Sequence, residues 1–457
     1  MNSIQLLFIY NFTMPYIVKT KNYMSFKPKA HLYFIIFILL SYSYQVVACS
    51  MYKITTYHNT IIGTNFDAYY TNPCIWFEVA SKEQKYASCY SGGRIEGDQG
   101  ISPQSGMNEA GLVFSRLAAA TPISGIVDMK NKKPILKAAW FLKEILHQCK
   151  TIEEVKAFIE PFNHSYFIED VFIYIDSTGR YLIVEPYTMT IGQDANYVLS
   201  NFCPSVTNQS YANRLERYRN GQLFLQLHPA DTSLAYAKAL IDTMHVCRNK
   251  MGDGTLLSSI WNIKNQTVTL YFYHDYSQQL QFDLSTEFKK GNHSLAITSL
   301  FPTNKEFKKL IDYKIPQNSP PLGIFTIISS FFFILCSCFY MIYFFRTKNK
   351  STYTIWFVWQ GIMNLLLAAY SIVLIRNMYI FYYDAPYKHY TSSILDYSGY
   401  IPFVLVAVSF PLCYMNMKIF SHQLLPKSIK IVYTINNLLY LVYIFLFMYW
   451  GLFDIWN

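Results

Sequence analysis

The chain reads as an α+β domain followed by four membrane-spanning helices, and three observations carry that reading. Hydrophobic residues make up 52% and charged residues 14%, against a usual charged share of about 25% in soluble domains, and the apolar excess gathers after Pro321. Before it, strand-like alternation gives way to two helical patterns and then to strands again, the order of an α+β domain with antiparallel sheets. After it, four apolar runs at about 322–345, 353–375, 401–420 and 431–453 are each long enough to cross a bilayer. The 457 residues leave room for two or three domains, and nothing recurs at a fixed period.

The first element is a leader. Lys27 and Lys29 precede an apolar run from Leu32 to about Tyr44, and Val46 and Ala48 are small residues just ahead of Cys49, which is the layout of a secretory signal peptide. Residues 1–48 are therefore set aside from the fold, and Met24 is a second candidate start. A cut after Ala48 would leave Cys49 with an α-amine of pKa about 7.7–8.0 beside a thiol of about 8.5. Nucleophile and base would then share one residue. Two other readings stay open. Val-Val-Ala-Cys also fits a bacterial lipoprotein site that would lipidate Cys49, and an uncut anchor is conceivable, although a run of about 13–17 residues is short of the ~20 a spanning helix needs.

After Cys49, Met51–Tyr57, a turn at His58-Asn59 and Thr60–Gly63 form a hairpin that carries Cys49 at its outer end. Tyr90 to Gly111 is glycine-rich without the spacing of a phosphate-binding loop. Pro134 opens a helix with Ile135, Ala138, Ala139, Leu142, Ile145, Leu146 and Cys149 on one face. Thr151 and Glu154 form a capping box for a second helix with Val155, Phe158 and Ile159 inside. Strands Val171–Ile175 and Tyr181–Val184 flank a turn at Asp176-Ser177-Thr178-Gly179. Leu256–Ile263 and Thr267–Tyr273 form a later hairpin, with Leu280–Leu284 as a third strand. Pro316 to Pro321 is a linker, giving an extracytoplasmic domain over 49–315 and a membrane module over 322–457.

The loops of that module agree on one orientation. Arg346, Lys348 and Lys350 follow the first run, and Lys418, Lys427 and Lys430 join the third and fourth, so these loops face the cytoplasm and residues 49–320 lie on the other side. The net charge is +10, but Lys19, Lys21, Lys27 and Lys29 belong to the leader and the other cations are scattered, which argues against nucleic acid. Of nine cysteines, Cys336, Cys338 and Cys413 fall in apolar runs. Cys49 apart, Cys74, Cys89, Cys149, Cys203 and Cys247 are an odd set, with Cys74–Cys89 the favoured bridge. Sequons at Asn163, Asn208, Asn265 and Asn292 decide nothing. The histidines lack metal-ligand spacing, no nucleophile-elbow serine appears, and no metal or cofactor is expected.

Taken in order, Cys49-Ser50, Gly63-Thr64-Asn65-Phe66-Asp67, Gly106-Met107-Asn108-Glu109-Ala110-Gly111-Leu112, Asp176-Ser177-Thr178-Gly179 with Val184-Glu185, and Val198-Leu199-Ser200-Asn201 resemble the linear amide C–N hydrolases. That family includes choloylglycine hydrolases, penicillin V acylases and the isopenicillin acyltransferase. The resemblance covers roughly 49–290 and implies a four-layer αββα N-terminal-nucleophile fold with the mature cysteine on a central strand. It implies Cys49 as nucleophile, Asp67 as the carboxylate that orients its amine, and Asn201 as a side-chain donor to the oxyanion. Asn108 lies in the most recognisable block and could support the site. The family's second oxyanion asparagine would fall about ten residues on, at Ala118, so that donor is missing or supplied by backbone. Thr64 occupies the slot of an arginine that helps activate the cysteine, and Thr cannot replace its charge. Arg248 is a candidate for a later active-site arginine.

The expected protein is thus a membrane-bound hydrolase of a linear, non-peptide amide, with a small acyl-bearing amide, lipid-like chains included, as substrate and the bilayer as its surroundings. An acyltransferase on the same scaffold, and a receptor or membrane-assembly protein that keeps the fold without activity, are the alternatives. Thr64 and Ala118 motivate the second.

Overall fold

The computed structural model describes residues 48–68, 71–95, 100–119, 131–247, 254–347, 352–381, 397–422 and 425–454. The chain divides into two compact units, Met1–Tyr42 and Ser43–Asn457, of which the first lies outside the described residues. The strands of the second are β1 (Ala48–Thr55), β2 (Thr60–Asp67), β3 (Cys74–Glu78), β4 (Ser88–Gly92), β5 (Arg94–Ile95), β6 (Ile101–Ser102), β7 (Ser105–Asn108), β8 (Val113–Ala118), β9 (Asp170–Ile175), β10 (Tyr181–Glu185), β11 (Thr188–Gly192), β12 (Asn196–Leu199), β13 (Thr255–Asn262), β14 (Thr267–Phe272), β15 (Asp275–Asp283) and β16 (His293–Ala296). They form a six-stranded sheet in the order β12-β1-β2-β13-β14-β15, an eight-stranded sheet in the order β11-β10-β9-β8-β7-β4-β3-β16, and a small β5-β6 hairpin. Neighbours in all three pair antiparallel.

Strand alternation explains the layers. On the six-stranded sheet Met51, Phe66 and Leu257 face inward, against Phe77, Met107, Val113 and Ile173 of the other sheet. The opposite face carries Tyr52, whose hydroxyl donates to Ala237 O at 2.7 Å, and Asn65, which donates to Ile241 O at 3.1 Å. Both acceptors belong to α4 (Leu234–Thr243), which with α3 (Glu216–Leu227) covers this face. Gly63 has to be glycine, because a Cβ there would lie 2.2 Å from the Tyr52 ring. Behind the eight-stranded sheet, α1 (Ala138–Gln148) and α2 (Ile152–Ile159) pack Phe141, Leu142, Ile145 and Val155 on Tyr90, Phe114, Tyr174 and Leu182. The Thr151 hydroxyl caps α2 by accepting from Glu154 N at 3.2 Å.

Three expectations are corrected. The helix predicted from Pro134 starts at Ala138, with Lys137 as its N-cap, so Pro134 and Ile135 belong to the approach segment. The third strand of the later hairpin begins at Asp275, because Tyr273 and His274 make a tight turn with positive φ, +51° and +46°, without the Asn-Gly chemistry that marks such turns in a sequence. Cys74 and Cys89 do not pair. In the β3–β4 register Cys74 lies opposite Gly92 and Cys89 opposite Phe77, and the two thiols sit on opposite faces of the sheet.

The domain ends in α5 (Lys305–Asp312), capped by Asn304, which accepts from Glu306 N and Phe307 N at 2.9 and 3.0 Å. Its buried Phe307 packs on Phe272 and Tyr273, with ring centroids 4.8 and 5.0 Å apart. Four long helices follow: α6 (Pro320–Arg346), α7 (Thr352–Arg376), α8 (Ile401–Ser421) and α9 (Lys427–Tyr449). All are long and apolar enough to span a membrane. Pro320 and Pro321, placed in the linker by sequence, form the first turn of α6, where proline loses no helical hydrogen bond.

The bundle is apolar outside and sets polar side chains among the apolar ones inside. Ile324, Phe331, Phe410 and Phe445 are exposed, while Gln360, Asn364, Asn436 and Ser371 are buried. Asn364 and Asn436 donate to one another at 2.8 Å, and Tyr440 donates to Asn364 Oδ1 at 2.6 Å. An apolar exterior with its polar groups bonded to one another inside is a pattern that suits hydrocarbon surroundings.

Candidate active site

Cys49 lies on the second residue of β1, opposite Phe66 of β2. On its other side Met51 pairs with Leu199 of β12, and continuing that register brings Asn201 across from Cys49. Asn201 Oδ1 accepts from Cys49 N at 3.1 Å, and Ser200 Oγ donates to Cys49 O at 3.1 Å. The strand runs unbroken through Ala48, so Cys49 N is here a peptide N–H standing where the α-amine of a cut chain would be.

The opposite sheet completes the surroundings. Asn201 Nδ2 donates to Ala118 O at 2.7 Å, so one amide hydrogen of the residue expected at the oxyanion is directed to the end of β8. Gln104, just ahead of β7 and 3% exposed, reaches across with Nε2 3.3 Å from Cys49 Sγ. The same nitrogen donates to Arg116 O, and the Gln104 carbonyl accepts from Arg116 N at 2.8 Å.

Asp67 ends β2 and sits opposite Ala48 and Thr255. Its carboxylate pairs with Arg217 from the first turn of α3 and accepts from Thr255 Oγ1 at 2.5 Å. Beneath the site, Arg116 grips Asp170 through two bonds of 3.0 and 2.7 Å, and Arg94 stands 3.5 Å from the same carboxylate. Burial raises Asp170, but Arg116 and Arg94 outweigh it and hold the carboxyl below its usual range. Burial pushes the Cys49 thiol up to about 12 and the Asp67 charge adds to it, while a hydrogen bond from the Asp67 backbone and the charges of Arg94 and Arg217 pull the other way. In the uncut chain the sulfur is therefore a protonated thiol at neutral pH.

The structure brings together Cys49, Asp67 and Asn201. Thr64 lies on the same inward face as Cys49, and its hydroxyl bonds to Ser259 Oγ at 2.7 Å, which continues to Ser105 at 3.1 Å and Ser91 at 2.8 Å. A line of hydroxyls thus fills the slot expected for an arginine. Asn108 is corrected: it faces α1, donating to Leu146 O and Cys149 O at 2.7 Å each and accepting from Leu112 N at 2.8 Å. It ties the helix end to β7 from the side of the sheet away from Cys49. Arg248 lies outside the described residues. Sequence reasoning missed Gln104, Ser200, Arg94, Arg116, Asp170 and Arg217. Of these only Ser200 sat in a recognisable block: Gln104 reaches Cys49 from the other sheet, Arg217 reaches Asp67 from a helix, and Arg94 and Arg116 converge on Asp170.

No family model matches the chain, and no curated protein matches it. Among solved structures, two variants of the conjugated bile acid hydrolase from Clostridium perfringens are similar at 18% and 15% identity. Each comparison covers 56% of this chain, with 98% and 97% of theirs, at TM-scores of 0.43 and 0.41. Penicillin V acylase from Agrobacterium tumefaciens is similar at 16% identity, over 49% of this chain and 82% of that one, with a TM-score of 0.35. At these identities and scores the likeness assigns no chemistry to this chain.

Proposed function

We propose that this protein is a membrane-tethered amide hydrolase whose nucleophile is Cys49, exposed as an N-terminal residue by a cut after Ala48. The observation that carries the reading is the convergence on one buried cysteine of a hydrogen-bond acceptor at its nitrogen, Asn201 Oδ1, and an amide donor at its sulfur, Gln104 Nε2. In the cut chain the α-amine takes the thiol proton, Sγ bonds to the amide carbonyl carbon, and the C–N bond breaks as the amine returns the proton to the leaving nitrogen. Water then hydrolyses the thioester. Asn201 holds the amine by its oxygen end and donates from its amide nitrogen to the oxyanion. Asp67 stands at the strand end with its charge held by Arg217. The apolar exterior of α6 to α9 supports placement in a bilayer, and the loop cations support an orientation with residues 49–315 on the extracytoplasmic side.

A second reading is favoured by one observation. With the thiol pushed up to about 12 and no guanidinium at Thr64, an uncut chain would keep the fold as a non-catalytic membrane protein. The N-terminal residue of the purified protein separates the two. Free Cys49, with amide hydrolysis abolished by Cys49→Ala in a protein that still folds, supports the hydrolase. An intact Ala48–Cys49 bond or a lipid-bearing Cys49 supports the rival.

A further inference from the structure

We propose that Gln104 is a catalytic residue of this site, the side-chain donor that binds the oxyanion in place of the asparagine missing at Ala118; the proposal rests on Cys49 being the nucleophile. Its geometry fits that work. A carboxamide nitrogen carries two hydrogens, and those of Gln104 have two destinations, the Arg116 carbonyl and Cys49 Sγ at 3.3 Å. When Sγ attacks a carbonyl, the carbonyl oxygen stays two bonds from the sulfur, within reach of a donor already poised beside it. The first hydrogen keeps its bond to Arg116 O, which fixes the amide plane, and the second is handed from sulfur to oxyanion as negative charge builds there.

The amide orientation is also held against a cost. Among the described residues Gln104 Oε1 is buried without a hydrogen-bond partner, and an orphaned buried acceptor is ordinarily avoided. Flipping the amide would not relieve it, because Oε1 would then face the Arg116 carbonyl oxygen. The nitrogen is therefore pinned toward Cys49. Backbone pairing fixes the residue as well, since Gln104 N donates to Ser91 O at 2.8 Å and its carbonyl accepts from Arg116 N at 2.8 Å. The side chain thus hangs from two strands of the opposite sheet, close to Ala118, where a methyl group can donate nothing. Gln104 also lies fourteen residues before Ala118, so alignment to a family pattern passes it by.

The test uses the cut protein, which starts at Cys49 and keeps the four helices, and three probes: lauroyl 4-nitroanilide for turnover, dodecanal for a reversible thiol adduct, and iodoacetamide for the thiol itself. Gln104→Met and Gln104→Leu remove the donor at nearly constant size. Both are expected to lower kcat and kcat/KM together, on the order of 10²–10³-fold, with KM nearly unchanged. Dodecanal affinity should fall in parallel, because its adduct also carries an oxygen beside the sulfur. Iodoacetamide should slow far less than turnover, since displacement at its carbon builds no oxyanion and loses only the donor at the sulfur. Folded variants with normal kcat and normal dodecanal affinity would overturn the proposal. So would iodoacetamide slowing as much as turnover, which would make Gln104 a group that merely positions the thiol. If neither variant folds, the structure of the wild-type dodecanal adduct decides: its oxygen within hydrogen-bond distance of Gln104 Nε2 supports the role, and an oxygen turned away refutes it. Failure of the broader reading looks different, for then the wild type turns over no anilide and Cys49→Ala binds dodecanal as well as the wild type does.

Discussion

The proposed cut after Ala48 would give Cys49 opposite reactivity on the two sides of one peptide bond. While Ala48 acylates its nitrogen there is no local base, and burial keeps the thiol protonated. Because the raised pKa is that of an acid, the thiolate fraction at pH 7 is very small and grows about tenfold per pH unit until the pH nears 12. Ala48→Leu, which removes the small residue from the cut, should give a protein whose Cys49 is alkylated slowly at pH 7, with a rate rising about tenfold per unit from pH 7 to 9. The cut protein should instead show activity that rises as the α-amine loses its proton near pH 7.7–8.0 and then levels off. Equal alkylation of both forms at pH 7 would show that the cut does not activate the sulfur. How far such roles can be read from sequence depends on the distance along the chain. The neighbourhood of Cys49, Asp67 and Asn201 was legible because each belongs to a compact run of residues. Gln104 and Arg217 were not, since one reaches Cys49 across the gap between two sheets and the other meets Asp67 from a helix 150 residues away.

Among the elements, the pairing of β8 with β9 does more than form a sheet. It sets Ala118 opposite Asp170 and lets Arg116 close on that carboxylate inside the protein. Since Asp170 titrates below its unfolded value, it contributes stability that is fully present above about pH 3.9 and is lost as pH falls through the lower folded value. Asp170→Asn leaves Arg116 buried without its counter-charge and should cost about 3–5 kcal/mol at pH 7, while flattening the loss of stability seen below pH 4. Urea unfolding of the α+β domain at pH 7 and pH 3.5 measures both. The helices differed in legibility for physical reasons. α1 and α2 show in the sequence because their apolar residues recur on one face. α3 does not, because it buries little beyond Tyr218 and Gly221, and Gly221 is there so that Met244 and Val198 can approach its backbone.

At the level of the whole molecule, the four apolar helices were the easiest feature to read, since length and composition suffice. Their interior was not, because hydropathy does not reveal that Asn364 and Asn436 pair face to face. The proposed orientation has a direct check. In sealed right-side-out vesicles an impermeant amine reagent should modify lysines of the α+β domain such as Lys264 and Lys289, and should reach Lys427 and Lys430 only after permeabilisation. Labelling of Lys427 from outside would reverse the topology.

The segment between domain and bundle has a mechanical consequence. Tyr313 donates to Trp450 O at 2.8 Å, the Trp450 indole donates to Lys314 O at 2.9 Å, and Gln317 donates to Leu374 O and Ile375 O at 2.7 and 2.9 Å. Six residues before Tyr313, Phe307 of α5 is clamped to Phe272, which lies in register with Leu257, Phe66 and Cys49 across three strand spacings, about 14 Å. This connection is a strut and not a leash, and it sets Cys49 at a fixed standoff from the helices. Trypsin should accordingly cut slowly after Lys314 in the intact protein and much faster in Trp450→Ala, where the lysine carbonyl loses its partner. Rapid cutting in both would mean that the domain swings freely.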